Sequence, residues 1–265
     1  MADRYADDLA RTIAFQRAIL TRTSTRIVPS PFGRAFLDDR YRVRWDSNLL
    51  WVERGASADD LADEADRILG GAGLLHREIR VDDDDVGGMV ADGLAAHGYD
   101  IDRLVVMRST DEIDPPAADD PVGEVDLSTL RPAIETVIRR EPYGSDEGTV
   151  AVLASYRGEL VRNAGARFFC ARVGDEIVSM CDLYQDGPIA QIEDVNTLQE
   201  FRDRGFARSV IRRAVAEATA AGAELLFLEA LADDWPKELY AKLGFSPIGH
   251  VWSFVRAPGR AKSPV

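Results

Sequence analysis

The stretch from Ile189 to Phe245, IAQIEDVNTLQEFRDRGFARSVIRRAVAEATAAGAELLFLEALADDWPKELYAKLGF, does most to limit what this chain can become. Ile189 to Thr197 is rich in strand formers, Ile192 and Val195 among them. Gly205 follows in an arginine-rich turn. Beyond it Phe206, Val210, Ile211, Ala214, Val215 and Ala218 recur at helical spacing on one face. The segment reads strand, glycine turn, helix. A helix start leaves its first N–H groups without partners and carries partial positive charge, so it suits an anion. Arg202, Arg204, Arg208, Arg212 and Arg213 gather positive charge there, in a chain of formal net charge -14. The pattern points to an anionic ligand, and a pyrophosphate fits. The plain alternative is a surface helix that begins with glycine and arginine.

Arg202-x-x-Gly205-x-Ala207 after a strand resembles the R/Q-x-x-G-x-G/A loop of the GCN5-related N-acetyltransferases, the GNAT superfamily. Further on, Tyr240-Ala-Lys-Leu-Gly244-Phe245 is similar to that family's second signature, a short helix ending in Y-x-x-x-G-F. The resemblance covers Val122 to Arg256. It departs from the usual pattern at Thr197, at Leu198-Gln199 and at Ala207, which stands for a second glycine. The fold it implies is α/β (α+β): a mixed, mostly antiparallel sheet flanked by helices. The cosubstrate it implies is acetyl-CoA. Val195, Asn196 and Thr197 would hold the pantetheine arm. Arg202, Asp203, Arg204, Gly205, Phe206, Ala207 and Arg208 would hold the pyrophosphate, largely through backbone groups. The resemblance also implies transfer of the acetyl group to a primary amine of a small molecule or peptide by direct attack. Glu193, on the strand before the turn, is the candidate general base, with Asp194 as its competitor because neighbouring strand residues face opposite sides. Tyr240 matches the family tyrosine that protonates the leaving thiolate. A phenol near pKa 10 suits a thiol near 8.5. Two other readings stay open: a mycothiol-synthase-like acyltransferase, and a CoA-binding sensor without turnover.

A net charge of -14 argues against a general nucleic-acid binder, which needs a basic footprint. No apolar h-region opens the sequence and no apolar run approaches a membrane span, so a cytoplasmic protein without membrane association is expected, as monomer or homodimer. Cys170 and Cys181 fall on one expected hairpin, Phe168 to Leu183. A two-residue turn at Gly174-Asp175 would pair 170 with 179 and make the cysteines diagonal neighbours on one face, as buried thiols without a disulfide. No metal site is expected. The aspartate run Asp82 to Asp85 reads as a helix N-terminus.

In order, Arg4 to Leu20 reads as a helix, Tyr41 to Trp45 and Asn48 to Glu53 as strands, and Ser57 as the start of a capped helix. Leu74 to Val81 reads as a strand, Val86 to His97 as a helix and Tyr99 to Arg108 as a strand. Residues 111–121, DEIDPPAADDP, read as a linker. They divide a GNAT-like N-terminal unit (1–110) from an acetyl-CoA-binding unit (122–257), with a disordered tail at 258–265. Past the linker the order β-α-α-β-β-β-α-β-α-β is expected, with Leu130 to Glu141 and Thr149 to Ala164 as the paired helices. The helix-Gly98-Tyr99-strand run echoes helix-Gly244-Phe245-strand, which suggests a duplication whose first copy is degenerate. That copy lacks the glycine turn, because its strand to Val81 runs straight into four aspartates that would repel a pyrophosphate. It is expected to cover a face or edge of the sheet and to line the acceptor pocket.

Overall fold

The computed structural model describes residues 2–110, 113–117 and 121–258. Parts of the expected linker and all but one residue of the expected tail lie outside the described residues. The N-terminal half contributes α1 (Ala2–Thr23), β1 (Arg26–Ser30), β2 (Gly33–Leu37), β3 (Leu49–Val52), α2 (Ala58–Ala65), β4 (Arg77–Val81), α3 (Asp84–Ala96) and β5 (Asp100–Ser109). The C-terminal half contributes β6 (Val122–Val125), α4 (Leu127–Arg140), α5 (Glu147–Ser155), α6 (Arg157–Ala164), β7 (Arg167–Val173) and β8 (Glu176–Asp186). It continues with β9 (Ile189–Thr197), α7 (Phe206–Ala220), β10 (Leu225–Leu231), α8 (Pro236–Lys242) and β11 (Phe245–Arg256).

All the strands join one 11-stranded sheet in the order β1-β2-β3-β4-β11-β5-β10-β9-β8-β7-β6. Only β3/β4 and β9/β10 are parallel, and each of these pairs is joined by a helical crossover, as a parallel connection requires. The centre of the order is symmetric: a parallel pair, β11, β5, and a parallel pair. Each half's last strand therefore lies against the other half, β11 along β4 and β5 along β10. The N-terminal half covers part of one sheet face, as expected, through α1, whose Phe15 packs edge-on against Phe227 of β10. It also extends the sheet, and the division at 111–121 separates the sequence without separating the hydrogen-bonded layer. Helix α3 closes onto β11 through Gly87, where an added Cβ would lie 2.1 Å from the Trp252 ring.

Helices α1, α4, α5 and α6 cover one face, where Phe15, Ile19, Leu130, Ile134, Val150 and Leu160 pack on Phe168, Met180 and Phe227. On the other face α7 buries Val210, Ile211, Ala214, Val215 and Ala218, the stripe read from its 3.6-residue period. Leu61, Leu69, Val90 and Leu94 of the α2 and α3 segments bury against the N-terminal strands. Four of these helices begin as their sequences dictate. Ser57, Asp83, Asp126 and Asp146 each accept a first-turn N–H at α2, α3, α4 and α5.

Several local expectations change. Tyr41 to Trp45 is a turn leading into a 3-10 turn at Trp45–Ser47, because Asn48 Nδ2 binds the carbonyls of Tyr41 and Arg44 at 3.0 and 2.8 Å and holds the chain bent. The helix expected over 149–164 is two, α5 and α6, meeting at Tyr156. A bulge between Ala171 and Arg172 inserts one residue into the hairpin, so Cys170 opposes Met180 and Cys181 opposes Phe169. One added residue reverses the facing of everything beyond it. The two thiols are buried and free, on opposite faces of the sheet. The sheet order also moves the echo. The counterpart of α7 is α2, which links β3 to β4, whereas the aspartate run precedes α3, the counterpart of α8. The hindrance to an anion in the first half is thus the Ser57 cap with Asp59 and Asp60 in the first turn of α2.

Candidate functional site

β9 and β10 pair only over Ile189 to Gln191 with Leu225 to Phe227. Past that point β9 runs on to Thr197 and β10 to Leu231 with no pairing between them. The sheet is open here, and half of the backbone groups of β9 beyond Gln191 face the opening rather than β8. The corresponding pair β3/β4 stays bonded to its last residues, Val52 and Val81. On β9 a bulge sets Asp194 and Val195 against Cys181 alone, with Asp194 at φ 51°, a left-handed backbone that non-glycine residues seldom adopt.

The turn that follows is built from two left-handed residues, Asp203 (φ 60°) and Gly205 (φ 87°). Gly205 is the N-cap of α7 and has no side chain to offer the first-turn N–H groups. Those of Phe206, Ala207 and Arg208 are left directed out of the helix end. An added Cβ at Gly205 would meet nothing within 4 Å. The glycine is required by its dihedral angle, and the space beside it is open. Arg202 Nε reaches back to the Thr197 carbonyl at 3.3 Å. The Arg204 guanidinium lies over Phe201 and Phe206, 5.3 and 5.5 Å from their ring centres. Arg202, Arg204 and Arg208 are all exposed. Val195, Asn196 and Thr197 are half-buried on β9, where the Ser179 hydroxyl donates to the Asn196 carbonyl at 3.0 Å. The turn, β9 and the start of α7 are therefore contiguous, and an anion fits the uncapped helix end.

Glu193 stands where the two strands part, on the α1/α4–α6 face, and accepts from Gln191 Nε2. Burial, reinforced by Glu229 and Asp194, pushes its carboxyl well above the usual carboxylate range, while Arg80 opposes the shift. Asp194, the competitor, is salt-bridged to Arg157 at 2.8 Å. Tyr240 comes from α8 on the far face, buried to 7% exposure, with its ring 6.3 Å from that of Phe245. Burial, aided by the charge of Glu193, pushes its phenol up to about 12. The opening thus brings Glu193 and Tyr240 into electrostatic reach from opposite faces.

Four buried or nearly buried groups here escape a motif reading. Glu229 on β10 accepts from Arg80 at 2.6 Å and from Gln16 at 3.0 Å. Arg80 itself belongs to β4 of the N-terminal half. Asp182 on β8 is fully buried, and Arg157 Nε donates to it at 2.8 Å. Burial and the neighbouring Asp194 push Asp182 up to about 7 against the pull of Arg157. The available signal was an acidic residue inside an otherwise apolar strand, LLFLEAL and SMCDLY. Among the described residues, no group of His, Cys, Asp and Glu is arranged to hold a metal, and no helix is long and apolar enough to cross a membrane.

The structure is similar to that of a functionally unknown conserved protein from Staphylococcus epidermidis, with TM-score 0.68 and 13% identity over 89% of this chain and 94% of that one. It is also similar to a GCN5-related N-acetyltransferase from Kribbella flavida, with TM-score 0.66 and 17% identity over 92% and 95% of the two chains. A GCN5-related N-acetyltransferase from Sphaerobacter thermophilus gives TM-score 0.53 and 16% identity over 77% and 70%. These likenesses establish a fold shared with acyltransferases. No curated protein matches the chain. Residues 130–245 match the model of the acetyltransferase (GNAT) family, and this part of the chain is a GNAT domain.

Proposed function

We propose that the protein is an N-acetyltransferase that moves the acetyl group of acetyl-CoA to a primary amine of a small molecule or peptide by direct attack. The observation that carries this reading is the opening between β9 and β10. It has an uncapped, arginine-flanked helix N-terminus beside it and a half-buried carboxyl, Glu193, where the strands part. The α7 N-terminus and the turn from Arg202 to Arg208 hold the pyrophosphate through N–H groups and charge. Val195 to Thr197 offer backbone groups to the pantetheine arm.

Glu193 accepts a proton from the substrate ammonium, which leaves the neutral amine free to attack the thioester. A carboxyl raised by burial is a better base than an exposed one, because its proton affinity approaches that needed near neutral pH. Asp194 is the weaker candidate, since its charge is spent on Arg157. Tyr240 is a hydrogen-bond donor to the leaving thiolate. With its phenol at about 12, complete proton transfer to a thiolate of pKa about 8.5 runs uphill, so stabilisation by donation suits it better.

The test is thiol release from acetyl-CoA with a panel of primary amines. Glu193→Gln is expected to lose about 10²–10⁴-fold in kcat/KM, and Tyr240→Phe to lower kcat, both with acetyl-CoA binding retained. Wild-type turnover in Glu193→Gln would remove it as base. Tight acetyl-CoA binding with no amine acetylated would favour the sensor reading.

A further inference from the structure

On the sheet face that carries Glu193, a cleft of about 950 Å³ opens between the two halves of the chain. That volume lies at the upper end for small-molecule sites. One wall is apolar and comes from α4 and α5 of the GNAT domain, through Ile134, Val137, Ile138 and Leu153. The opposite wall comes from the N-terminal half. There Trp45 stacks on His76, ring centres 5.4 Å apart and planes 18° apart, as a flat aromatic surface. His76 Nε2 donates to the Asn48 carbonyl at 2.9 Å, and burial lowers its pKa, so the ring is neutral. At the mouth Val43, Leu75 and Tyr143 are apolar side chains exposed to 43%, 79% and 53%. At the inner end stand Asp194 and Asn196 of β9.

Among the described residues the buried charges of the cleft are paired except at Glu78, while Glu141 is exposed at the surface without an ion pair. Arg157 holds Asp182 and Asp194, each at 2.8 Å. Arg44 holds Asp46 at 2.6 Å and lies 4.1 Å over the Tyr156 ring. Arg42 binds the Ala72 and Gly73 carbonyls at 3.0 and 2.8 Å. Glu78 of β4 makes no ion pair among the described residues. It is 8% exposed, lines the cleft, and receives the Ser253 hydroxyl on one oxygen at 3.3 Å. Arg80, two residues along the same strand, gives its guanidinium to Glu229. Burial and the charge of Asp46 push Glu78 up to about 8, against the pull of Arg80 and Arg44, whose guanidiniums are engaged elsewhere. A buried carboxyl that borders a cavity with no ion-pair partner stays protonated at neutral pH, and a ligand that brings a cation or donors within reach favours its charged form.

We infer that this cleft is the acceptor site, and that it takes an elongated amine with an apolar body and a second cationic group. The reacting amine lies at the Asp194 end, the body lies between the α4/α5 wall and Trp45, and the second cation lies on Glu78. The N-terminal half thus sets acceptor specificity. Only the choice of the reacting end rests on the acetyl-transfer reading.

The test is calorimetric titration of the full chain, without acetyl-CoA, using linear α,ω-diamines of four to ten carbons, each against the monoamine of the same length. At least one diamine is expected to bind wild type ten-fold or more tighter than its monoamine. Glu78→Gln is expected to bring that ratio to within about two-fold. Glu78→Asp, which keeps the carboxyl and retracts it by one methylene, is expected to shift the preferred diamine one methylene longer, and it serves if Glu78→Gln fails to fold. No binding by any diamine, equal binding of diamines and monoamines, or a preference that survives Glu78→Gln overturns the inference. Thiol release from acetyl-CoA is measured separately. A Glu78-dependent diamine preference without thiol release would sink the transferase reading and leave this one standing. Thiol release without a diamine preference would do the reverse.

Discussion

Gly205 separates what the fold needs from what the ligand needs. At φ 87° and ψ -4°, it occupies a region that costs an ordinary residue about 1–2 kcal/mol. Its Cβ would meet no neighbour. Gly205→Ala should therefore lose about 1 kcal/mol, or roughly 2–4 °C in midpoint for a protein near this size. Gly205→Asp meets the same strain, but its carboxylate caps α7, which returns about 0.5–2 kcal/mol. It also interacts favourably with the helix dipole, worth about 0.3–1 kcal/mol. Its stability should thus stay within about 1 kcal/mol of wild type. Its carboxylate, however, fills the N–H groups assigned to the pyrophosphate and adds repulsion. The assay is thermal unfolding with and without acetyl-CoA at about 100 times its Kd, where binding adds roughly 2.7 kcal/mol and raises the midpoint by roughly 5–10 °C. Wild type and Gly205→Ala should show the rise, and Gly205→Asp should not. A full rise in Gly205→Asp, or none in wild type, refutes the assignment of α7 as the anion site.

Three further outcomes follow from the buried charges. Arg80 opposes the upward shift of Glu193, so Arg80→Met should move the acidic limb of the kcat/KM profile to higher pH. An unmoved limb would sever the N-terminal half from the base. Removing Arg157 leaves Asp182 buried without its partner, and Arg157→Met should cost about 3–5 kcal/mol in denaturant unfolding. A loss under 1 kcal/mol would show that Asp182 is held neutral. Glu78 rises on folding from its ordinary 4.5 to about 8. Between those values the folded state binds more protons than the unfolded chain, so stability falls as pH rises through that window, by at most about 5 kcal/mol. Glu78→Gln should flatten that decline, as measured by unfolding midpoints from pH 4.5 to 8.

What could be read from the sequence was local. The strand, Gly205 and the periodic face of α7 are consecutive residues whose geometry is set by their neighbours. The helix caps at Ser57 and in the aspartate run likewise needed only three or four residues of context. What escaped was set by distant partners. Nothing near Tyr41 says that Asn48 will bend it. The bulge after Ala171 that sends the cysteines to opposite faces depends on how β7 seats against β8. The parting of β9 from β10 is a property of two strands separated by α7. Arg80 and Glu78 bear no relation in sequence to Glu193, yet β4 brings them to the same face. The composition of an apolar strand holding one acid marks Asp182 and Glu229 as unusual without saying what they meet.

The crossing of β5 and β11 sets a schedule for the growing chain. β11, the last strand of the sheet to emerge from the ribosome, takes a place at its centre, between two strands made well over a hundred residues earlier. Until it arrives, β4 and β5 each carry an open hydrogen-bonding edge, and Phe254 is missing from the core of the first half. The usual order, in which an N-terminal domain is finished before the next is begun, is closed to this architecture. Its first half must wait, exposed to chaperones and proteases, for the second half to complete it.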